Sequence, residues 1–136
     1  MVHGDVTITP DLTNSDPLNA CIILSSGNIT IERGSDKTDS GTFGYDIVHA
    51  FLIANGEIII EEDPHNDGLL VEGGLVSFTP NTEKGAIVNN REMDVLNKNI
   101  YPIVAIDNNA KYGLLSKIVF GSQIDVYKLE IGFKPY

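Results

Sequence analysis

The side chains with chemistry to offer are few and scattered. His3, His49 and His65 stand apart, and none has the i, i+4 or His-Glu-x-x-His spacing that brings two imidazoles onto one metal. His49 lies in an apolar stretch and reads as a core or edge residue. The densest acidic stretch is Glu61-Glu62-Asp63-Pro64-His65-Asn66-Asp67-Gly68. Oxygen-rich loops of this kind hold Ca²⁺, a hard cation that takes carboxylate and carbonyl oxygens. Glu61, Glu62, Asp63 and Asp67 are therefore the candidate metal ligands. The stretch lacks EF-hand spacing and Pro64 stiffens it, so the reading favoured over a Ca²⁺ site is a solvated turn. Asp36, Asp39 and Asp46 form a second, more dilute acidic set.

Covalent and acid–base chemistry find little support. No Gly-x-Ser-x-Gly elbow occurs, and no histidine stands where a triad can be argued. Carboxylate pairs of the glycosidase kind exist in any acidic chain. Carbohydrate clefts usually add aromatic platforms, and this chain has no Trp. Arg33 and Arg91 are its two arginines, too few for the basic clefts that neutralise uronates. No catalytic or cofactor-binding residue is assigned, and the chain is expected to be non-enzymatic. Cys21 is the single cysteine, which excludes an internal disulfide and a cysteine-based zinc cage. Beside Ile22-Ile23-Leu24 it reads as a small buried hydrophobe.

Composition narrows the partners. The 136 residues, 42% hydrophobic and 21% charged, suit one folded domain. A net charge of −10 argues against nucleic acid and against anionic membrane, both of which need a basic surface. The longest apolar runs, such as residues 47–54 (interrupted by His49), are too short to span a bilayer. Met1-Val2-His3-Gly4 leads directly into strand-like sequence, unlike a signal peptide. The charge is split: residues 1–83 carry fourteen acids against two bases, and residues 84–136 carry seven bases against five acids. Four of the five tyrosines, Tyr101, Tyr112, Tyr127 and Tyr136, lie in the second part.

The elements that position these residues follow from a repeat. Gly4-Asp5-Val6-Thr7-Ile8-Thr9 matches Gly27-Asn28-Ile29-Thr30-Ile31-Glu32, and both match Gly56-Glu57-Ile58-Ile59-Ile60-Glu61. The second and third copies extend backward, with Ile22-Ile23-Leu24-Ser25-Ser26 aligned to Phe51-Leu52-Ile53-Ala54-Asn55. Leu69-Leu70-Val71-Glu72-Gly73-Gly74-Leu75-Val76-Ser77-Phe78 reads as a degenerate fourth copy. Ile-x-Ile alternation places two side chains on one face of a strand, and glycine makes the corner before it. Two short strands at a corner cannot bury that face alone, but stacked copies can. The expected fold is mainly β: a short parallel β-solenoid (β-helix) with a C-terminal helix-and-strand cap. The alternative is a β-sandwich or jelly roll. In the expected stack, Ile8, Ile31 and Ile60 share one interior column, Val6, Ile29 and Ile58 another, and Asp5, Asn28 and Glu57 form an outward ladder.

One domain, 1–136, is expected, with coils over residues 2–84 and a capping or flanking segment over 85–136. Within that segment, Asn90 is a candidate N-cap for a helix over 90–99, with Met93, Leu96 and Ile100 on one face. Residues 101–107 and 114–120 read as strands, and from Tyr127 apolar and charged residues alternate.

The strings Ser26-Gly27-Asn28-Ile29-Thr30-Ile31, Phe51-Leu52-Ile53-Ala54-Asn55-Gly56-Glu57-Ile58 and Leu69-Leu70-Val71-Glu72-Gly73-Gly74-Leu75-Val76 resemble short β-helical segments of bacterial envelope and pilus-associated proteins, and distantly those of bactofilin-type polymer-forming proteins. The resemblance covers about residues 2–80 and implies a scaffold or surface role; it carries over no catalytic residue. The expected function is a non-enzymatic structural or adhesive module of a bacterial surface, filament or phage-like appendage, extracellular or at the cell surface. Its expected partners are like subunits or a larger parent chain, met head to tail. The alternative is a glycan-binding or glycan-processing β domain, with the loops at 35–42 and 61–68 as its site.

Overall fold

The repeat unit is written into the strands. A computed structural model describes residues 1–10, 21–34, 44–64, 67–79, 86–93 and 98–114. Ten short strands occur among them: β1 (Val6–Ile8), β2 (Ile22–Ser25), β3 (Ile29–Ile31), β4 (Tyr45–Val48), β5 (Phe51–Ala54), β6 (Ile58–Ile60), β7 (Gly68–Glu72), β8 (Gly74–Ser77), β9 (Ile87–Asn89) and β10 (Val104–Asp107). They form three sheets, ordered β1-β3-β6-β9, β2-β5-β8 and β10-β7-β4. Every pairing is parallel. From β2 onward the chain visits the three sheets in one fixed cyclic order, so each strand pairs with strands one circuit away.

The register follows the sequence alignment residue for residue. Val6 pairs with Ile29, Ile29 with Ile58, and Ile58 with Ile87. Ile8, Ile31 and Ile60 stand in the neighbouring column. Ile22 to Ser25 pair with Phe51 to Ala54 in order. Alternation then decides what is inside: Ile29, Ile31, Leu52, Ala54, Ile58, Ile60, Leu69 and Val71 are all buried and form one cluster with Val48 and Ala50. These β-branched and aliphatic side chains fill the space between the sheets, and no strand could bury them without the other two sheets.

The corner between β2 and β3, and that between β5 and β6, is built by a ladder. Asn28 N–H donates to Asp5 Oδ1 at 2.8 Å, and Glu57 N–H donates to Asn28 Oδ1 at 2.8 Å. Gly27 N–H donates to Gly4 O, and Gly56 N–H to Gly27 O. A Cβ at Gly27 would collide with Asp5 Oδ1, and one at Gly56 with Asn28 Oδ1. Glycine is thus demanded by the close approach of successive corners.

Several expectations shift. Residues 69–71 pair with β4, and Gly74 to Ser77 pair with β5, so the fourth copy of the repeat is displaced by one sheet from its sequence alignment. β9 and β10 extend existing sheets, so the pairing continues beyond residue 84 into the segment read as a cap. Asn90 N–H donates to Ile60 O and continues the ladder after β9, instead of starting a helix. Residues 94–97 of the expected helix, the strand at 114–120 from residue 115 onward, and the alternating segment from Tyr127 lie outside the described residues. Residues 110–114 form one helical turn, whose buried Tyr112 lies 6.3 Å from the Phe51 ring centroid.

Candidate functional site

One corner of the molecule carries charge into the interior. The burial pattern of β4 turns Asp46 and Val48 inward and leaves Tyr45 and Ile47 outward. In register, Asp46 stands beside Leu69, which stands beside Val104. A carboxylate therefore occupies an aliphatic column, where an unpaired charge costs several kcal/mol. Its partner is Arg91, two residues beyond the end of β9. Arg91 Nη2 donates to Asp46 Oδ2 at 2.7 Å, and both side chains are fully buried. Gly34 N–H donates to the same oxygen at 2.8 Å.

The corner is where the chain leaves the four-stranded sheet for the β10-β7-β4 sheet, once per circuit. Glu32 and Gly34 follow β3, Asp63 and Asp67 follow β6, and Arg91 follows β9. Arg91 reaches across these successive passes. Nη1 donates to Asp67 O at 3.1 Å and Gly68 O at 3.0 Å, and Nη2 also donates to Glu32 O at 3.3 Å. Asp63 Oδ2 lies 3.5 Å from Nη1. Asp67 Oδ1 accepts from Gly44 N–H at 3.2 Å. The planar fork of a guanidinium suits such a role, because its five N–H groups have fixed directions.

The two Nη1 hydrogens face two carbonyls, and the two Nη2 hydrogens face one carbonyl and one carboxylate. Asp46 Oδ1 and Arg91 Nε are buried without a hydrogen-bond partner. Asp46, Asp63 and Asp67, all buried, each offer a carboxylate oxygen within 4.8 Å of the other two. The guanidinium pairs with two of these carboxylates, Asp46 at 2.7 Å and Asp63 at 3.5 Å. An all-oxygen set of this kind suits hard cations and lacks the nitrogen or sulfur donors that select zinc.

The acidic residues sort differently from their order in sequence. Asp63 and Asp67 belong to the cluster, whereas Glu61 and Glu62 point to solvent. Asp46 joins them from the other acidic set; Asp36, Asp39 and His65 lie outside the described residues. His49 sits between β4 and β5, and its Nδ1 lies 2.7 Å from Glu72 Oε2 at a partly exposed position. Cys21 is exposed, contrary to its reading as a buried hydrophobe, because it precedes β2 at the edge of its sheet. Asp46 and Arg91 were absent from the metal candidates. The available signal was an aspartate at an inward position of an otherwise aliphatic strand.

Comparison with protein-family models, with curated proteins and with solved structures returned no match.

Proposed function

We propose that the chain is a short parallel β-solenoid acting as a non-enzymatic structural or adhesive module of a bacterial surface, filament or phage-like appendage. The observation that carries this reading is the cyclic passage through three parallel sheets with aliphatic columns between them. Such a body grows by adding circuits, and its two ends present strand edges. Among the described residues, β1 pairs on one side with β3, and at the opposite edge β9 pairs on one side with β6. Ile87 and Ile106 are exposed on the last strands, and Val2 is exposed near the first. These features support head-to-tail contact with like subunits or with the rest of a longer parent chain. The charge split between residues 1–83 and 84–136 supports the same polarity, since complementary charge orients and speeds an encounter.

Sedimentation velocity at tens of micromolar protein, in low salt and then in physiological salt, tests this reading. Concentration-dependent species that weaken as salt rises are expected. A clean 14.8 kDa monomer throughout counts against self-assembly by this chain. Saturable binding on a glycan array by that monomer would favour the glycan-binding alternative.

A further inference from the structure

We propose that a second copy of the chain adds its β1 to the open edge of β9, with the partner's Val6 beside Ile87 and the partner's Ile8 beside Asn89. This inference rests on the self-associating reading above and adds to it the two strands, their register and their hydrogen bonds.

The first ground is the backbone. Alternate residues of a paired strand turn their N–H and C=O groups to opposite edges. Val6 N–H donates to Asn28 O, and Ile8 O accepts from Glu32 N–H. Val6 and Ile8 thus turn toward β3, and Asp5, Thr7 and Thr9 turn away from it. At the other end, Ala86 O accepts from Ile58 N–H, and Asn90 N–H donates to Ile60 O. Ala86, Val88 and Asn90 therefore face β6, and Ile87 and Asn89 face away. Among the described residues no strand lies across either edge. Inside the body β3 meets β6 with the same parity: Ile29 N–H donates to Glu57 O, and Ile31 O accepts from Glu61 N–H. The β1 of a second copy offers β9 what β6 offers β3. Ile87 N–H donates to the partner's Asp5 O, and Asn89 O accepts from the partner's Thr9 N–H, a strand addition that repeats the internal ladder.

The second ground is the core. Ile29 and Ile58 are fully buried, but Ile87, next in their column, is 41% exposed. Val71 is fully buried, but Ile106 beside it is 53% exposed. The interior columns therefore end open at the last circuit. The partner's Val6 continues the Ile87 column with another β-branched residue, as it does for Ile29 within the chain. Val2 stands beside Ser25, whose row continues through Ala54 to Ser77, so the same translation sets the partner's Val2 beside Ser77. On the outward face Ala86 meets the partner's Asp5, Val88 the partner's Thr7 and Asn90 the partner's Thr9, so no like charges stand opposite one another. One rung is missing at this joint. Asn28 Oδ1 accepts from Glu57 N–H, whereas Ala86, at the position equivalent to Asn28, has no side-chain acceptor for the partner's Asp5 N–H.

Sedimentation velocity of the 136-residue chain and four variants tests this. Thr7→Pro removes an N–H that faces away from β3, a position where an edge strand tolerates proline. Ile87→Lys places an ammonium at the end of the column. Each alone should associate at least tenfold more weakly than the parent. Mixed in equal amounts they should form a heterodimer and nothing longer, because Thr7→Pro keeps its β9 and Ile87→Lys keeps its β1. Ala86→Asn supplies the missing acceptor and should tighten association about two- to tenfold, the worth of one hydrogen bond. Leu114→Lys, exposed and on neither strand, should associate as the parent does. Circular dichroism checks that each variant is folded; where Thr7→Pro is not, Ile87→Lys and Ala86→Asn decide. A parent that associates while Ile87→Lys and Thr7→Pro associate equally well overturns the register and leaves self-association through another face. Variants that are monomers alone and stay monomers when mixed overturn the β1–β9 joint in the same way. A parent that is monomeric throughout overturns this inference and the self-association reading together.

Discussion

Arg91 and Asp46 are 45 positions apart in sequence, and they meet as an ion pair of 2.7 Å with both side chains fully buried. The pair fastens the end of the described β9 pass to a strand two sheet positions earlier. Its worth lies less in attraction than in the cost of breaking it. A buried pair is often no more stabilising than well-packed apolar residues, but removing one partner leaves a charge that nothing answers.

Arg91→Met should therefore destabilise the fold by about 3–5 kcal/mol. It strands Asp46 and removes the donors to the Glu32, Asp67 and Gly68 carbonyls together. Asp46→Asn should cost less, because an amide oxygen still accepts from Gly34 N–H and from Arg91. Adding Asp46→Asn to Arg91→Met should recover only part of the loss, since Asp63 and Asp67 stay buried. Urea unfolding of the three variants measures this, with the exposed Arg33→Met expected within about 0.5 kcal/mol of the parent. An Arg91→Met variant as stable as the parent would show that the corner is not a structural fastening.

The interior columns give a second expectation. Ile31→Ala and Ile58→Ala each remove a fully buried side chain from between circuits, and each should cost about 2–5 kcal/mol. Ile59→Ala, on the outward face of the same strand, should cost clearly less. Chemical denaturation of all three tests the alternation itself: equal losses would contradict an inside and an outside to β6.

The corner ladder gives a third. Asn28 Oδ1 accepts from Glu57 N–H, and Asn28 N–H donates to Asp5 Oδ1. Asn28→Ala removes the acceptor and should cost about 1–2 kcal/mol, as a lost cap does. Gly56→Ala should cost more, because its Cβ meets the Gly27 backbone as well as the movable Asn28 side chain. Thermal melts of the two variants, ranked against each other, check the order.

These columns and corners were legible because their signals are local. Gly-polar-Ile-x-Ile specifies a corner and a strand face within six residues, and stacking simply superimposes the copies. The fourth copy misled for the same reason. Leu69-Leu70-Val71 and Gly74-Leu75-Val76 have the apolar strand and glycine corner of the pattern, but apolarity does not say which of three sheets a strand joins. β9 and β10 lack the glycine phrase, so their pairing was hidden in the segment read as a cap. The acidic stretch at 61–68 was visible as chemistry, but its division into buried Asp63 and Asp67 and exposed Glu61 and Glu62 depends on the turn. Arg91 was least legible: its meaning lies in carbonyls and carboxylates brought together from three passes of the chain.

Tyr112 supplies a pH dependence with a definite sign. Burial pushes its phenol above the usual tyrosine value near 10, and the neighbouring Cys21 and Glu72 add to the rise, while a contact with the Cys21 backbone opposes it. Burial raises Tyr45 in the same direction, with Tyr101 adding to it. Folding thus holds protons on these phenols over a window in which the unfolded chain releases them. Their contribution to stability is fully present below about pH 10 and declines as pH rises from there through the folded-state values. The Tyr112 hydroxyl is buried and makes no hydrogen bond of good geometry, so Tyr112→Phe should leave stability at neutral pH unchanged or slightly higher. The same substitution keeps the ring that packs on Phe51 and removes the proton that can be lost. Urea midpoints measured from pH 7 to pH 11 should therefore fall less steeply for Tyr112→Phe than for the parent above pH 10. Parallel curves for the two proteins would assign the alkaline loss to other groups, with Tyr45→Phe the next variant to compare.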